Sequence, residues 1–164
     1  TPSGRGFADT SDDVKRIRAT RSGEPWYAEA HELEEMLEYA PPHRRNRFDP
    51  GLRAFGYAKW DDRAQAHAAS TDSQMSMRAG AAFWTPTTEI DMEWWRSALA
   101  SMVAPTLIIV GARDGLTGVE AGHAIARLVP RGSVAELPDA AHYPWVDAPD
   151  QFRDAVVSFL APSS

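Results

Sequence analysis

The feature that most constrains the fold of this chain is where its large apolar residues lie. Of the 29 Leu, Ile, Val and Phe residues in the 164-residue chain, 19 fall within residues 98–164 and only 10 within residues 1–97. Burial of such side chains supplies most of the free energy that drives folding. The sequence therefore predicts a core built around residues 98–164, and a preceding part that does not fold alone.

The C-terminal part alternates between strand and helix patterns. Residues 106–110 (TLIIV) form a short, unbroken apolar run before a glycine, which is typical of a parallel strand buried on both faces. A second strand is predicted over residues 133–137, and the helix between the two begins with a capping box at Thr117 and Glu120. A last amphipathic helix over residues 149–160 completes a strand–helix–strand–helix unit with a right-handed connection.

Two parallel strands are too few for a stable sheet, because parallel sheets have several strands and are covered by helices on both faces. The pair also leaves the backbone groups of two strand edges unpaired. We therefore expect an incomplete sheet, whose remaining strands come from another polypeptide. The chain begins with Thr rather than Met, so we also expect a processed or truncated N-terminus.

The first part of the chain shows helix patterns and no convincing strand. In one of its segments apolar residues recur at helical spacing, as Trp26, Ala30, Leu33 and Leu37. Proline and glycine residues separate this segment from its neighbours. The predicted helices cover residues 11–21, 26–39, 61–69, 73–83 and 89–102.

The composition excludes several classes of protein. The chain has no cysteine, which excludes disulfides and Cys-ligated metals, and its five histidines lack the spacing of a zinc-binding helix. A net charge of −6 without a basic stripe argues against nucleic acid as a partner. No apolar run approaches the roughly 18 residues of a membrane span, and no signal peptide is visible. We expect a cytoplasmic protein with no membrane partner, no metal and no cofactor.

Three motifs in the second half are similar to those of a known family. They are APTLIIVGARD at residues 104–114, AHYPWVDAP at residues 141–149, and the final helix that ends at Phe159 and Leu160. Together they resemble the C-terminal end of an α/β-hydrolase, and more narrowly the proline iminopeptidase-like branch of that family. Residues 57–68 (YAKWDDRAQAHA) look like the helical cap of this branch, and the first five residues resemble the turn that precedes the cap.

The resemblance implies a fold class and a division of the chain. The class is α/β, with parallel strands and flanking helices from the C-terminal part of an α/β-hydrolase, plus a helical cap. Residues 1–24 would lead from a strand into the cap, residues 25–97 would form the cap or lid, and residues 98–164 would form the C-terminal catalytic half of the core.

The resemblance also implies two catalytic residues of a Ser-His-Asp mechanism. In the family the acid follows a strand as G-x-x-D, and the catalytic histidine lies in the loop before the final helix, which gives Asp114 and His142. Both residues lie just beyond predicted parallel strands, where open α/β sheets bind their ligands. The residues alone leave an alternative open, in which Asp114 is a turn residue and His142 is a loop histidine bonded to the backbone.

The family's nucleophile is absent from these residues. Neither the G-x-S-x-G elbow nor an HGG-type oxyanion loop occurs in the sequence. The resemblance implies that an N-terminal fragment of the same hydrolase carries the serine, and that the two chains of a cleaved protein remain docked as a heterodimer. Its substrate would be a small amide, a peptide-like compound, an ester or a lactone.

Apolar and aromatic residues are candidates for the substrate pocket, because such pockets are mostly apolar. Ordinary core packing is the alternative for each of them. Four acids are candidates for holding a substrate amine, although a solvated helix face is the stronger explanation for them, because helix surfaces are usually charged. His67 is interpreted as a packing or surface residue. The pocket candidates are Leu116, Tyr143, Trp26, Trp60 and Trp84, and the acids are Glu34, Glu35, Glu38 and Asp61.

Two other functions stay open. The first is a non-catalytic binding protein on this fold, because fold does not determine function. Ser, Asp or Cys at the missing elbow would indicate an enzyme, and Gly or Ala would indicate a binding protein. In the second, Thr1 is an N-terminal nucleophile whose own amine is the base, although the paired antiparallel sheets of that class have no trace in the sequence.

Overall fold

The computed structural model describes residues 9–40, 49–74, 76, 78 and 91–161. Within these residues the chain is mixed α/β, mostly helical, with a single parallel sheet of two strands. The elements in chain order are α1 (Ser11–Ala19), α2 (Tyr27–Tyr39), a 3₁₀ helix (Pro50–Gly56), α3 (Asp62–Gln74), α4 (Met92–Ala100), β1 (Thr106–Gly111), α5 (Glu120–Leu128), β2 (Gly132–Leu137), α6 (Pro144–Asp147) and α7 (Pro149–Leu160).

The strand–helix–strand–helix order predicted for the C-terminal part is confirmed. β1 and β2 pair in parallel, with Thr106 opposite Gly132 and Gly111 opposite Leu137, and α5 connects them. The last helix, α7, has the bounds that its apolar spacing and its first-turn proline predict. A single helical turn, α6, lies in the loop predicted between β2 and α7.

β1 is less buried than a strand covered on both faces. Thr106 to Val110 are each only half-buried, and Gly111 alone is buried. Within the described residues each strand has one neighbour, so that each has one unpaired edge. The prediction of a doubly covered strand is therefore wrong for this chain by itself, because the described elements cover only part of the sheet. The two-stranded sheet agrees with the expectation of an incomplete one.

α5 begins differently from the prediction, because a distant residue caps its N-terminus. The predicted capping box at Thr117 is wrong, since the Thr117 hydroxyl donates to Asp114 instead. The carboxylate of Asp13 in α1 accepts hydrogen bonds from the amides of Val119 (2.7 Å) and Glu120 (3.0 Å). Negative charge at this place also interacts favourably with the helix dipole. α1 is thereby attached to the helix that connects the two strands.

α1 buries charged side chains, although its sequence indicates a polar helix. Asp13 and Arg18 are each 8% exposed, and Arg21, just beyond the helix, is 1% exposed. Arg18 donates to the carbonyl of Gly115 (2.6 Å), and Arg21 donates to the carbonyl of Tyr57 (2.8 Å). Buried charges are tolerated only when they are paired or hydrogen-bonded. The polar residues of α1 therefore connect it to two other parts of the chain.

The core of the first half forms around the 3₁₀ helix, which the sequence analysis did not predict. Leu52 and Phe55 of this helix are buried together with Ala30 of α2. The ring of Trp26 packs edge-on against Phe55, with ring centroids 5.0 Å apart. The apolar stripe predicted for α2 packs against this cluster and is confirmed.

The other predicted helices differ from the structure at their ends. α3 extends beyond its predicted end at residue 69. α4 begins later than predicted, because Asp91 accepts a hydrogen bond from the amide of Trp94 (2.9 Å) and caps the helix. The helix predicted over residues 73–83 falls largely outside the described residues. None of the described helices combines the length and the apolar character needed to cross a bilayer.

Asp13→Ala should lower the free energy of unfolding by about 1–2 kcal/mol, because two amides at the N-terminus of α5 lose their acceptor. Asp12→Ala is the matched control, since Asp12 is an exposed carboxylate in the same helical turn, and it should change stability by less than about 0.5 kcal/mol. Urea unfolding of both variants measures the difference. Equal effects of the two substitutions would contradict the capping role of Asp13.

Candidate active site

Two loops at the C-terminal ends of the strands bring the predicted acid and base together. The acid loop, residues 112–119, follows β1, and the base loop, residues 138–143, follows β2. Backbone pairing continues beyond the sheet, because the amide of Arg113 in the acid loop donates to the carbonyl of Ala140 in the base loop (3.0 Å). The two loops are therefore joined directly to each other.

Gly111, the last residue of β1, permits this close approach. A Cβ atom at this position would lie 2.3 Å from the carbonyl oxygen of Ala141 and 2.5 Å from the carbonyl carbon of Ala140. Any side chain would push the base loop away from the end of β1, so that only glycine is compatible with the observed distance. The G-x-x-D motif thus has glycine at its first position because a side chain there would clash with the base loop.

Asp114 contacts both loops through its two carboxylate oxygens. Oδ1 accepts hydrogen bonds from the amides of Leu116 (2.8 Å) and Thr117 (3.0 Å), which close a turn in the acid loop. Oδ2 accepts a hydrogen bond from the hydroxyl of Thr117 (2.6 Å) and lies 3.0 Å from Nδ1 of His142. The sequence left open whether Asp114 is a turn residue or the partner of a histidine, and in the structure it is both.

The acid–base pair is mostly withdrawn from solvent, with the Asp114 side chain 8% exposed and the His142 side chain 17% exposed. An ionised carboxylate only accepts hydrogen bonds, so Nδ1 of His142 is the donor to Asp114. In the neutral ring Nε2 then carries the lone pair, and no group in the described part of the chain hydrogen-bonds to it. This is the geometry in which an acid orients a histidine base.

Hydrogen bonding keeps Asp114 ionised in spite of its burial. Burial is the largest single influence and opposes ionisation, but the hydrogen bond and charge of His142 and the hydrogen bonds from Thr117 act against it. Their combined effect prevails, so that the pKa of Asp114 lies below its usual value. Beside it, burial raises the pKa of Tyr143. Asp114 is therefore an acceptor for His142 at neutral pH.

A groove runs along one face of β1 beside α5 and ends at the acid–base pair. At this end it is lined by Asp114, Thr117, His142 and Pro144. Elsewhere its walls are apolar side chains and glycines of β1 and α5, among them Ile108, Val110 and Ile125. The acid–base pair thus forms part of the wall of the groove.

Leu116 and Trp26, two of the predicted pocket residues, lie outside the lining of this groove. Both pack on the cluster formed by Leu52 and Phe55 of the 3₁₀ helix. Their contacts correspond to the core-packing alternative that the sequence left open. A role for them in substrate binding stays a prediction.

Tyr143 and Trp60 pack around Tyr57 in a second cluster. The ring of Tyr143 stacks on Tyr57 with centroids 4.8 Å apart, and it meets the imidazole of His142 nearly at a right angle at 5.0 Å. Among the predicted pocket residues that the structure describes, Tyr143 thus has its ring against the base. Trp60 contacts Tyr57 instead, with centroids 5.3 Å apart.

The four acids considered for a substrate amine each have a partner within the chain. Their contacts favour the interpretation as surface and capping groups rather than as a cluster aimed at the acid–base pair. The pairs are Glu34 with Arg18 (2.5 Å), Glu35 with His31 (3.8 Å), Glu38 with Lys15 (3.8 Å) and Asp61 with the amide of Ala64 (3.0 Å).

The remaining candidates from the sequence do not form a second site. His67 has the packing role expected for it, with its Nδ1 hydrogen-bonded to the hydroxyl of Tyr57 (2.7 Å). No group of three or more His, Asp or Glu side chains within the described ranges is arranged to hold a metal ion. Trp84, a predicted pocket residue, and Thr1, the alternative nucleophile, lie outside the described residues.

The sequence analysis missed three residues that support the pair. Thr117 donates its hydroxyl to Asp114, Arg18 donates to the backbone of the acid loop, and Asp147 accepts the amide of Ala141 in the base loop (2.8 Å). The three-residue spacing from Asp114 to Thr117 is a turn signal that could have indicated the first. Asp147 is the one carboxylate in the motif AHYPWVDAP, whereas nothing local indicates Arg18.

Comparison with known proteins adds no relative, because no family model, no curated protein and no solved structure matches this chain. The interpretation of the site therefore depends on its geometry and on the motifs described above.

The lowered pKa of Asp114 predicts a pH dependence of stability. Ionised Asp114 contributes to the free energy of unfolding above its unfolded pKa of about 4, and this contribution is lost as the pH falls through the lower folded pKa. The stability difference between the wild type and Asp114→Asn should therefore shrink as the pH falls below about 4. Urea unfolding from about pH 5 to about pH 3 measures this difference.

Asp62→Asn is the control for this series, because Asp62 is an exposed carboxylate in the first turn of α3. Its profile records the acid destabilisation of the rest of the chain. A difference between the wild type and Asp114→Asn that grows toward low pH would contradict the assigned direction of the pKa.

Proposed function

We propose that these residues form the C-terminal part of a serine hydrolase of the α/β-hydrolase fold, in which Asp114 is the orienting acid and His142 is the general base. The observation that carries the proposal is the 3.0 Å contact between Oδ2 of Asp114 and Nδ1 of His142, at the ends of adjacent parallel strands. Open α/β sheets bind their ligands at this edge.

The geometry supports His142 as the base of an acyl transfer. With Nδ1–H donated to Asp114, the lone pair of Nε2 is directed away from the carboxylate and can accept the proton of an attacking hydroxyl. Asp114 would hold this tautomer and stabilise the imidazolium that forms. His142 would then return the proton to the leaving group, and it would activate water in the same way to release the acyl product.

The nucleophile would come from polypeptide outside these 164 residues. The sequence contains no G-x-S-x-G motif, and no Ser or Thr hydroxyl among the described residues hydrogen-bonds to His142. A general base must lie within about 3 Å of the proton donor that it serves. We infer that an N-terminal fragment of the same hydrolase supplies the serine and the oxyanion hole.

Uncovered apolar surface supports such a partner. One edge of β1 is unpaired within the described residues, and the side chains of this strand are only half-buried. At the end of α7, Phe159 and Leu160 are 36% and 71% exposed, although they belong to a stripe that is typical of a helix packed on a core. Further parallel strands beside β1, with their connecting helices, would cover both regions.

The proposed substrate is a small amide, a peptide-like compound, an ester or a lactone. All of these react through the same acyl transfer, for which the acid–base pair is suited. The 3₁₀ helix, which belongs to the predicted cap, contacts both the acid loop and the base loop. A cap in this position would control which acyl group reaches His142.

A non-catalytic binding protein on the same fold is the competing function. The observation that favours it is the lack of a nucleophile near His142 among the described residues. In that case Asp114 and His142 would only connect two loops. The wild type would have no turnover, and replacement of either residue would change stability alone.

Asp114→Asn and His142→Ala distinguish the two functions. In a hydrolase, Asp114→Asn should preserve the fold and lower kcat by about 10³- to 10⁴-fold, because the amide can reverse the hydrogen bond and select the wrong tautomer. His142→Ala should lower kcat at least as much, because it removes the base. Turnover of a chromogenic ester and the melting temperature are measured on the same preparations, together with any polypeptide that co-purifies.

His123→Ala is the matched control for these variants. His123 also faces an acid, Glu136, at 3.5 Å, but it lies on α5 away from the lining of the groove. Its replacement should leave turnover unchanged. Wild-type turnover per folded molecule in both Asp114→Asn and His142→Ala would reject this acid–base pair as the catalytic one. No turnover in the wild type together with its co-purifying polypeptide would favour the binding protein.

A companion polypeptide of about 100–130 residues should accompany the chain, since complete α/β domains of this kind have about 250 residues. It should contain G-x-S-x-G between a strand and a helix. Denaturing mass spectrometry and N-terminal sequencing of every chain in the purified material measure this. A single species of 18.0 kDa with full turnover would contradict the proposal.

A further inference from the structure

One short segment contacts both loops of the acid–base pair. It consists of residues 55–58, at the end of the 3₁₀ helix, and is called the bracket here. The amide of Gly115 in the acid loop donates to the carbonyl of Phe55 (3.0 Å), and the amide of His142 donates to the carbonyl of Gly56 (3.0 Å). Adjacent carbonyls of the bracket thus receive one amide from each loop.

Side-chain packing reinforces these contacts. A Cβ atom on Gly56 would lie 2.8 Å from Cδ1 of Leu116 and 3.3 Å from Cε2 of Tyr143. Leu116 lies two residues after Asp114, and Tyr143 directly follows His142. Both side chains therefore pack against Gly56 of the bracket. The separation of the two loops therefore depends on where the bracket lies.

Two charged side chains fasten the bracket. Arg21, which is 1% exposed, donates from Nη1 to the carbonyl of Tyr57 (2.8 Å). The carboxylate of Asp147 in α6 lies close enough to the amide of Ala58 for this amide to lower its pKa, and its Oδ2 accepts a hydrogen bond from the amide of Ala141 (2.8 Å). All four bracket residues thus contribute one backbone group each to a contact with another part of the chain.

Asp147 connects the bracket to the residue that precedes the base. The amides of Ala141 and His142 are consecutive, and each has its own acceptor, one on Asp147 and one on Gly56. The main chain is therefore fixed at Ala141 and His142. The imidazole of His142 can then move only by rotation about its side-chain torsions. Catalysis depends on such placement, because a displacement of about 1 Å can lower a rate by about 100-fold.

The charge of Asp147 does not stabilise the fold. Burial raises the pKa of this carboxyl group above its usual value, while its amide hydrogen bonds and the charge of Arg21 act in the opposite direction. Because the folded-state pKa is raised, ionisation of Asp147 lowers stability as the pH rises through that pKa. The role of the Asp147 side chain is therefore to hold the amides of Ala58 and Ala141 near each other.

We propose that Asp147 is a positioning residue for His142, which holds the base loop on the bracket so that Nδ1 stays within hydrogen-bond distance of Asp114. The functional part of this proposal rests on the proposed hydrolase, in which His142 is the base. A readout that needs no substrate keeps the two proposals separable.

The experiment compares Asp147→Ala and Asp147→Asn with Asp150→Ala. Asp150 is the matched control, because it is an exposed carboxylate at the start of the next helix and pairs only with Arg153 among the described residues. The first readout is the tautomer of His142, measured by ¹⁵N NMR on the full chain with any co-purifying polypeptide. The second is kcat and KM for an ester substrate, and melting temperatures are recorded in parallel.

The wild type and Asp150→Ala should hold His142 mainly in the Nδ1–H tautomer. Asp147→Ala should lose most of this population and lower kcat by about 10- to 100-fold with KM nearly unchanged. Asp147→Asn keeps one acceptor oxygen, so its tautomer population and its kcat should lie between those of the wild type and those of Asp147→Ala. A role confined to stability would lower the melting temperature and leave the tautomer and the ratio of kcat to KM as they are.

A folded Asp147→Ala protein with the wild-type tautomer would overturn the proposal, and Asp147→Asn decides the question if the alanine variant does not fold. A tautomer change in a protein that hydrolyses nothing would support the positioning role and reject the hydrolase. Hydrolysis that depends on His142 but not on Asp147 would support the hydrolase and reject the positioning role.

Discussion

The parallel register of β1 and β2 is the constraint on which the candidate site depends. Gly111 and Leu137 are opposite each other at the strand ends, so the loops that follow begin at the same level. This register brings Asp114 and His142, which are 28 residues apart in the chain, to a contact of 3.0 Å. A slip of one residue would displace one loop by about 3.3 Å and separate the pair.

Buried and half-buried charged side chains hold the loops in this arrangement. Asp13 caps α5, Arg18 bonds to the acid loop, Arg21 bonds to the bracket, and Asp147 bonds to the base loop. Loops carry main-chain groups that have no partner within the same loop, and a charged side chain satisfies such groups with short hydrogen bonds. These contacts cross the boundary that the sequence predicts between its lead-in segment and the catalytic half, so α1 belongs physically to the site.

The distribution of burial differs from the one that composition predicts. Phe55 and Tyr57, the largest fully buried apolar side chains among the described residues, lie in the first half, whereas the side chains of β1 are half-buried. An apolar side chain is buried only when other elements cover it, and the described elements cover this sheet in part. On the proposed function, the companion polypeptide would cover the surplus of apolar residues in the second half.

The elements around the site could be predicted from the sequence, because their signals are local, and its two main residues are implied by the resemblance of two short motifs. The β-branched run of β1, the apolar spacing of α7 and the placement of Asp114 and His142 after strands all lie within short stretches of chain. The contacts that hold these residues could not be predicted. Asp13 and Glu120 are 107 residues apart, and no local pattern encodes which main-chain amides folding will leave without a partner. The turn chemistry of Asp114 is likewise local, but the assignment of its second oxygen to His142 required the folded chain, since only the strand register brings the two loops together.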